Sequence, residues 1–116
     1  MPEHSFPVDE TGGIPVVRAP EEVDVTNANG LRAALLEAAA RGHGRYVVDM
    51  SQTTFCDTAG IHALVSAHKR AQAGGGDIRL VITGAAVRRI FAITGLDEVI
   101  PHAASLDEAL AQTSRG

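Results

Sequence analysis

Strand-length apolar runs alternate with stretches of helical period along this chain, and that alternation restricts it to an α/β architecture. Ile14 to Ala19 (Ile-Pro-Val-Val-Arg-Ala) reads as an early strand. Gly12-Gly13 supplies the turn before it, and Val8 falls in a candidate strand ahead of that turn. Pro15 has no N–H to donate, which directs this strand to a sheet edge. Tyr46 to Met50 is a nearly continuous apolar run, as expected of a central strand covered on at least one face. Ile78 to Ile82 is the next strand, and Val99-Ile100 adds a short one.

Between these runs the period changes to that of a helix. From Thr26 or Asn27 to Arg41, the set Leu31, Leu35 and Ala38 recurs every three to four residues, with a capping side chain before it and Gly42 after it. Thr58 to Ala73 forms a second helix, with Ile61, Leu64, Val65 and His68 on one side, and Gly74-Gly75-Gly76 ends it. The third runs from Ala85 to Thr94. Gly95 lies one position past its end, and Leu96 is placed to touch Phe91 one turn back, the arrangement of a Schellman motif. Ser105-Leu106-Asp107-Glu108 is a capping box that opens a final helix with Ala109 and Leu110 inward.

With 116 residues the chain has room for one domain, 1–116, with an ordered core over about 14–113 and residues 1–10 flexible or an edge strand. Apolar residues make up 45% but aromatics only 3%, so the core is built from Val, Ile, Leu and Ala. Few rings leave no platform for stacked bases, and ten Lys plus Arg against fourteen Asp plus Glu give net charge −4, the wrong sign for a nucleic-acid partner. No apolar run approaches the roughly 20 residues that span a bilayer, and Met1 to Pro7 lacks the basic and apolar regions of a signal peptide. A single cysteine makes no intrachain disulfide, so a reducing, cytoplasmic location is expected. Cys56 and five dispersed His show no zinc-ligand spacing, and neither metal nor cofactor is expected. Ser51 and Ser66 have no evident base, and the Gly74-Gly75-Gly76 turn lacks the Lys-Ser/Thr of a phosphate-binding loop, which argues against an enzyme.

The stretch Thr54-Phe55-Cys56-Asp57-Thr58-Ala59-Gly60-Ile61-His62 joins a buried strand to a helix, where α/β proteins place working residues. Thr58 is the residue read as able to cap the helix. Ala59 and Gly60, free of bulky side chains, would present backbone N–H groups to an anion. A phosphate on Thr58 would add about −1.5 to −2 charges, favoured by the helix terminus and opposed by Asp57. On residue type alone, a Thr before a helix is most often only an N-cap.

Four segments, Val47-Val48-Asp49-Met50-Ser51, Phe55-Cys56-Asp57-Thr58-Ala59-Gly60-Ile61, Gly74-Gly75-Gly76 and Ile90-Phe91-Ala92-Ile93-Thr94-Gly95-Leu96, resemble in order and spacing the STAS domain of bacterial anti-sigma factor antagonists. The resemblance runs from about Ile14 to Leu110. It implies a small mixed sheet of four to five strands, with about four helices packed mainly on one face. It makes the hydroxyl after the loop Asp the phosphoacceptor, which here is Thr58. It also assigns the acidic residue of the Glu22-Val23-Asp24 run, Asp24, to the neighbourhood of that loop; without the resemblance Asp24 reads as a solvated turn residue. The partner-binding set it implies is Asp24, Asp57, Ala59, Gly60 and His62.

By the same resemblance, the unphosphorylated protein binds an anti-sigma factor, a serine/threonine kinase of the histidine-kinase-like ATPase fold, and so frees a sigma factor. Phosphorylation by that kinase ends the partnership, and a PP2C-type phosphatase restores it. The protein itself is expected to be a monomer or weak dimer and to need no cofactor. A second reading within the resemblance is a scaffold subunit of a larger signalling assembly, with Thr58 acting only as a helix cap. Thr58 stands where Ser is commoner, and its methyl restricts the rotamer. His62 falls beside Ser66 and Lys69, away from the apolar stripe, and is expected to be exposed. Cys56 is expected to be a small buried hydrophobe.

Overall fold

The computed structural model describes residues 6–114. In chain order the elements are β1 (Val8–Thr11), β2 (Ile14–Arg18), β3 (Glu22–Val23), α1 (Ala28–Arg41), β4 (Arg45–Asp49), β5 (Phe55–Cys56), α2 (Thr58–Ala73), β6 (Asp77–Val81), α3 (Ala85–Thr94), a 3₁₀ turn (Leu96–Glu98), β7 (His102–Ala103) and α4 (Leu106–Ser114). Five strands form a mixed sheet in the order β1-β2-β4-β6-β7, and β3 and β5 form a separate two-stranded sheet. This is the mixed α/β fold with four helices that the sequence led us to expect. Among the described residues, no helix is long and apolar enough to cross a membrane.

β1 and β2 are an antiparallel hairpin, in which Thr11 faces Ile14 across the two-residue turn. That turn needs left-handed backbone at both positions, and Gly12 (φ 60°) and Gly13 (φ 83°) supply it. The hairpin also corrects the expected place of Pro15. β2 is not an edge strand, because β1 covers one side of it and β4 the other. Pro15 faces Glu10, one pair beyond the Thr11–Ile14 closing pair, where an antiparallel ladder asks for no N–H. On its other side the pairing with β4 begins only at Val16, so the missing donor breaks no bond there.

From β2 onward the main sheet is parallel, and alternate residues of each strand serve two different cores. Val17, Tyr46, Val48, Ile78 and Leu80 face the larger cluster, which takes Leu31, Leu35 and Ala38 from α1, Ala63, Leu64 and Ala67 from α2, and Val87 and Phe91 from α3. Val16, Val47 and Val81 face a smaller cluster closed by Ala109 of α4, with Leu106 and Leu110 alongside. β4 is thus covered on both faces, which explains its continuous apolar run. On α2 the buried set is Gly60, Ala63, Leu64, Ala67, His68 and Ala71, while Ile61 and Val65 are half-buried.

Local signals at the helix ends held in part. Gly95 is left-handed (φ 77°) and its N–H reaches the Ala92 and Phe91 carbonyls, with Phe91 and Leu96 both in the larger core. Ser105 Oγ accepts from the Glu108 N–H at 3.1 Å, and Glu108 reaches back to the Ala104 N–H at 2.9 Å, one residue earlier than an ordinary capping box. Val99-Ile100 is not a strand. Leu96–Glu98 winds into the 3₁₀ turn, the Val99 and Ile100 N–H groups both bond to Leu96 O, and the strand forms later, at His102–Ala103. α1 begins at Ala28 after Asn27, whose side chain makes no capping bond.

Candidate functional site

The loop between β4 and α2 is built by hydrogen bonds to a segment more than thirty residues earlier. The Thr53 hydroxyl donates to Pro20 O (2.8 Å), and the Thr54 N–H to Glu21 O (2.8 Å). Two short parallel strands follow, with Glu22 beside Phe55 and Val23 beside Cys56, and the Asp57 N–H continues the ladder to Val23 O at 2.9 Å. This pairing sets the Asp24-Val25-Thr26 turn against the start of α2. Asp24 is thereby brought to the same loop as Asp57 and Thr58, more than thirty residues later in the sequence.

The cap of α2 differs from the expectation. Asp57, in extended conformation, is the N-cap, and its Oδ1 accepts the N–H groups of Ala59 (2.9 Å) and Gly60 (3.2 Å). Thr58 is therefore the first helical residue, exposed, and its hydroxyl makes no hydrogen bond with the described residues. The reading of Thr58 as only a helix cap is corrected on this ground. So is the reading of Ala59 and Gly60 as free donors for an anion, because the Asp57 carboxylate already holds both groups.

The second oxygen of Asp57 reaches across the site: Oδ2 accepts the Val25 N–H at 3.1 Å. Asp24 shapes the same turn. Its Oδ1 accepts from the Thr26 N–H (2.9 Å) and from the Thr26 hydroxyl, while its own N–H donates to Asn27 Oδ1 at 2.9 Å. Asn27 is buried and its Nδ2 donates to Glu22 O at 2.8 Å, so its amide braces the turn in place of capping α1.

The remaining site residues differ in exposure. His62 is exposed on α2, Ala59 is half-buried and Gly60 is buried. A Cβ at Gly60 would lie 2.6 Å from Val23 Cγ1 and 2.7 Å from Cys56 Sγ, so the helix can sit this close to the small sheet only with glycine there. Cys56 is buried, and burial first, then the neighbouring Asp57 charge, pushes its thiol up to about 12. It is an inert core thiol at neutral pH.

Two residues of this face were missing from the sequence reading. Val25 is 73% exposed and Phe55 45% exposed, and they flank the acidic loop. A Phe placed in the loop of a chain with so few aromatics was the available signal for Phe55. Val25 carried none, because its position depends on the β3–β5 pairing.

The fold and this loop define a class. The STAS domain family model matches residues 5–109, and the chain belongs to that family. A candidate anti-anti-sigma factor of Mycobacterium tuberculosis, Rv2638, is 31% identical over 110 residues, covering 93% of this chain and 74% of the relative. The crystal structure of an anti-sigma factor antagonist from Mycobacterium paratuberculosis superposes with a TM-score of 0.84 at 28% identity, covering 95% of this chain and 93% of the other. The Bacillus cell fate determinant SpoIIAA, solved in its phosphorylated form, shares the fold at a TM-score of 0.69 and 20% identity, covering 93% and 98%.

Proposed function

We propose that this protein is an anti-sigma factor antagonist whose binding is switched off by phosphate on Thr58. The observation that carries the reading is the division of labour at the start of α2: Asp57 caps the helix, which leaves the Thr58 hydroxyl exposed and unbonded. A hydroxyl with no structural duty can be esterified without unmaking the fold. The relatives named as anti-sigma factor antagonists, and the phosphorylated form of SpoIIAA with the same fold, support it.

The switch is a matter of where charge sits. The N–H groups at the α2 terminus that would draw a phosphate inward are held by Asp57, so a phosphate on Thr58 stays on the surface. There it adds about two negative charges beside Asp57 and Asp24. A contact face fitted to a neutral hydroxyl would then suffer repulsion and desolvation of a few kcal/mol, and each 1.4 kcal/mol is tenfold in affinity. In this reading Asp24, Asp57, Ala59 and His62 meet the partner, and Gly60 supports them from beneath. The partner is an anti-sigma factor of the histidine-kinase-like ATPase fold that phosphorylates Thr58, and a PP2C-type phosphatase reverses the reaction. The kinase brings nucleotide, metal and catalysis; this chain brings the acceptor hydroxyl.

The test is incubation with the cognate kinase and ATP, followed by intact-mass and peptide mass spectrometry. One phosphate on Thr58 is the expected result. A Thr58→Ala variant phosphorylated to the normal extent would refute the assignment.

A further inference from the structure

A groove of about 660 Å³ opens where β6 and β7 end, between α3 and the first turn of α4. It shares no residue with the Thr58 face. Its volume falls within the roughly 300–1,000 Å³ typical of sites for small organic ligands. Ile82, Phe91 and Ala103, all buried, give it an apolar floor.

Five ionisable side chains stand around that floor. Arg88 and Arg89, from α3, line the groove and form no ion pair or side-chain hydrogen bond with any described residue. Asp97, just beyond α3, and Glu108, on α4, line it too, and neither comes within ion-pair reach of the arginines. Glu108 uses Oε1 on the Ala104 N–H, which leaves its second oxygen open. His102 adds an imidazole to the same lining.

Two positive and two negative groups thus share one apolar groove without neutralising one another. A simple anion would face the two carboxylates, and a simple cation the two guanidinium groups. A neutral ligand with separated charges satisfies both: the planar arginine fork takes a carboxylate, the acidic side chains take an ammonium, and the floor takes the apolar body between them. We infer that this groove binds a zwitterion with an apolar body, of the size of a di- or tripeptide.

The experiment is calorimetric titration of the full chain with the dipeptide leucyl-leucine. Saturable binding is expected. N-acetyl-leucyl-leucine, which lacks the ammonium, and leucyl-leucinamide, which lacks the carboxylate, should each bind at least about tenfold more weakly, as should free leucine. Arg89→Gln and Asp97→Asn should each weaken the dipeptide by a similar factor. Ala92→Leu, at an exposed position lining the groove, should abolish binding while leaving the thermal melt unchanged. Absence of dipeptide binding at millimolar concentration overturns the proposal, as does equal binding of either blocked dipeptide or undiminished binding by Ala92→Leu. Free leucine binding as tightly as the dipeptide overturns the peptide length and points to a single amino acid.

Discussion

Asp57 Oδ2 accepts the backbone N–H of Val25 at 3.1 Å, and the same carboxylate caps α2 through Oδ1. One side chain therefore ties the turn before α1 to the start of α2, thirty-two positions apart in sequence.

Removing that carboxylate should be felt in stability. Asp57→Ala loses the helix cap and the link to Val25, and should cost about 1–3 kcal/mol. Asp57→Asn keeps an acceptor oxygen and should cost less. Urea unfolding midpoints of the two variants against the wild type measure this; equal stability of Asp57→Ala would show that the carboxylate holds nothing.

Thr58 should behave in the opposite way. Its hydroxyl bonds no described residue, so Thr58→Ala should change stability by no more than about 0.5 kcal/mol. Under the proposed switch, Thr58→Glu should weaken binding to the cognate kinase about tenfold or more, and Thr58→Ala should still bind. Calorimetry with that kinase reads both affinities.

Gly60→Ala should destabilise by about 1–3 kcal/mol, because the new methyl meets Val23 and Cys56 in a packed contact. Cys56→Ala clears one of these obstacles. The double variant should therefore be more stable than the sum of the two single losses, a coupling that denaturant unfolding of the full cycle would reveal.

Stability should also fall in alkali. Burial raises the Cys56 thiol from 9.0 and the Tyr46 phenol from 10.0, each to about 12. Over that interval the unfolded chain has released protons that the native state still holds, so raising the pH favours unfolding. The slope is about 1.4 kcal/mol per pH unit for each group, and both groups are silent below about pH 8. Cys56→Ala should flatten the part of the curve between about pH 9 and 10, where Tyr46 has yet to contribute fully. Unfolding series at stepped pH test the sign and the window.

Much of the architecture was legible in the residues themselves. Tyr46 to Met50 and Ile78 to Ile82 announced covered strands, and the Leu31-Leu35-Ala38 spacing announced α1, because each pattern repeats often enough to outweigh local noise. Pro15 misled, since its effect on a strand depends on which neighbours pair with it and in which register. Val99-Ile100 misled because two apolar residues suit a 3₁₀ exit as well as a strand. The candidate site was legible as a segment but not as an arrangement. Thr58 and Asp57 are both good caps, and residue type alone does not choose between them.

The sequence alone determined the helices and the longer strands, the aliphatic core, the glycine turns and the loop that carries Asp57 and Thr58, because these follow from local periodicity and backbone preference. Only the tertiary structure decided that β3 and β5 pair, that Asp57 takes the cap and that Val25 and Phe55 flank the acceptor. Those outcomes rest on two-residue strands and single hydrogen bonds between distant segments, and such contacts leave no period in a sequence; they exist only once the larger sheet has fixed the distance between the segments.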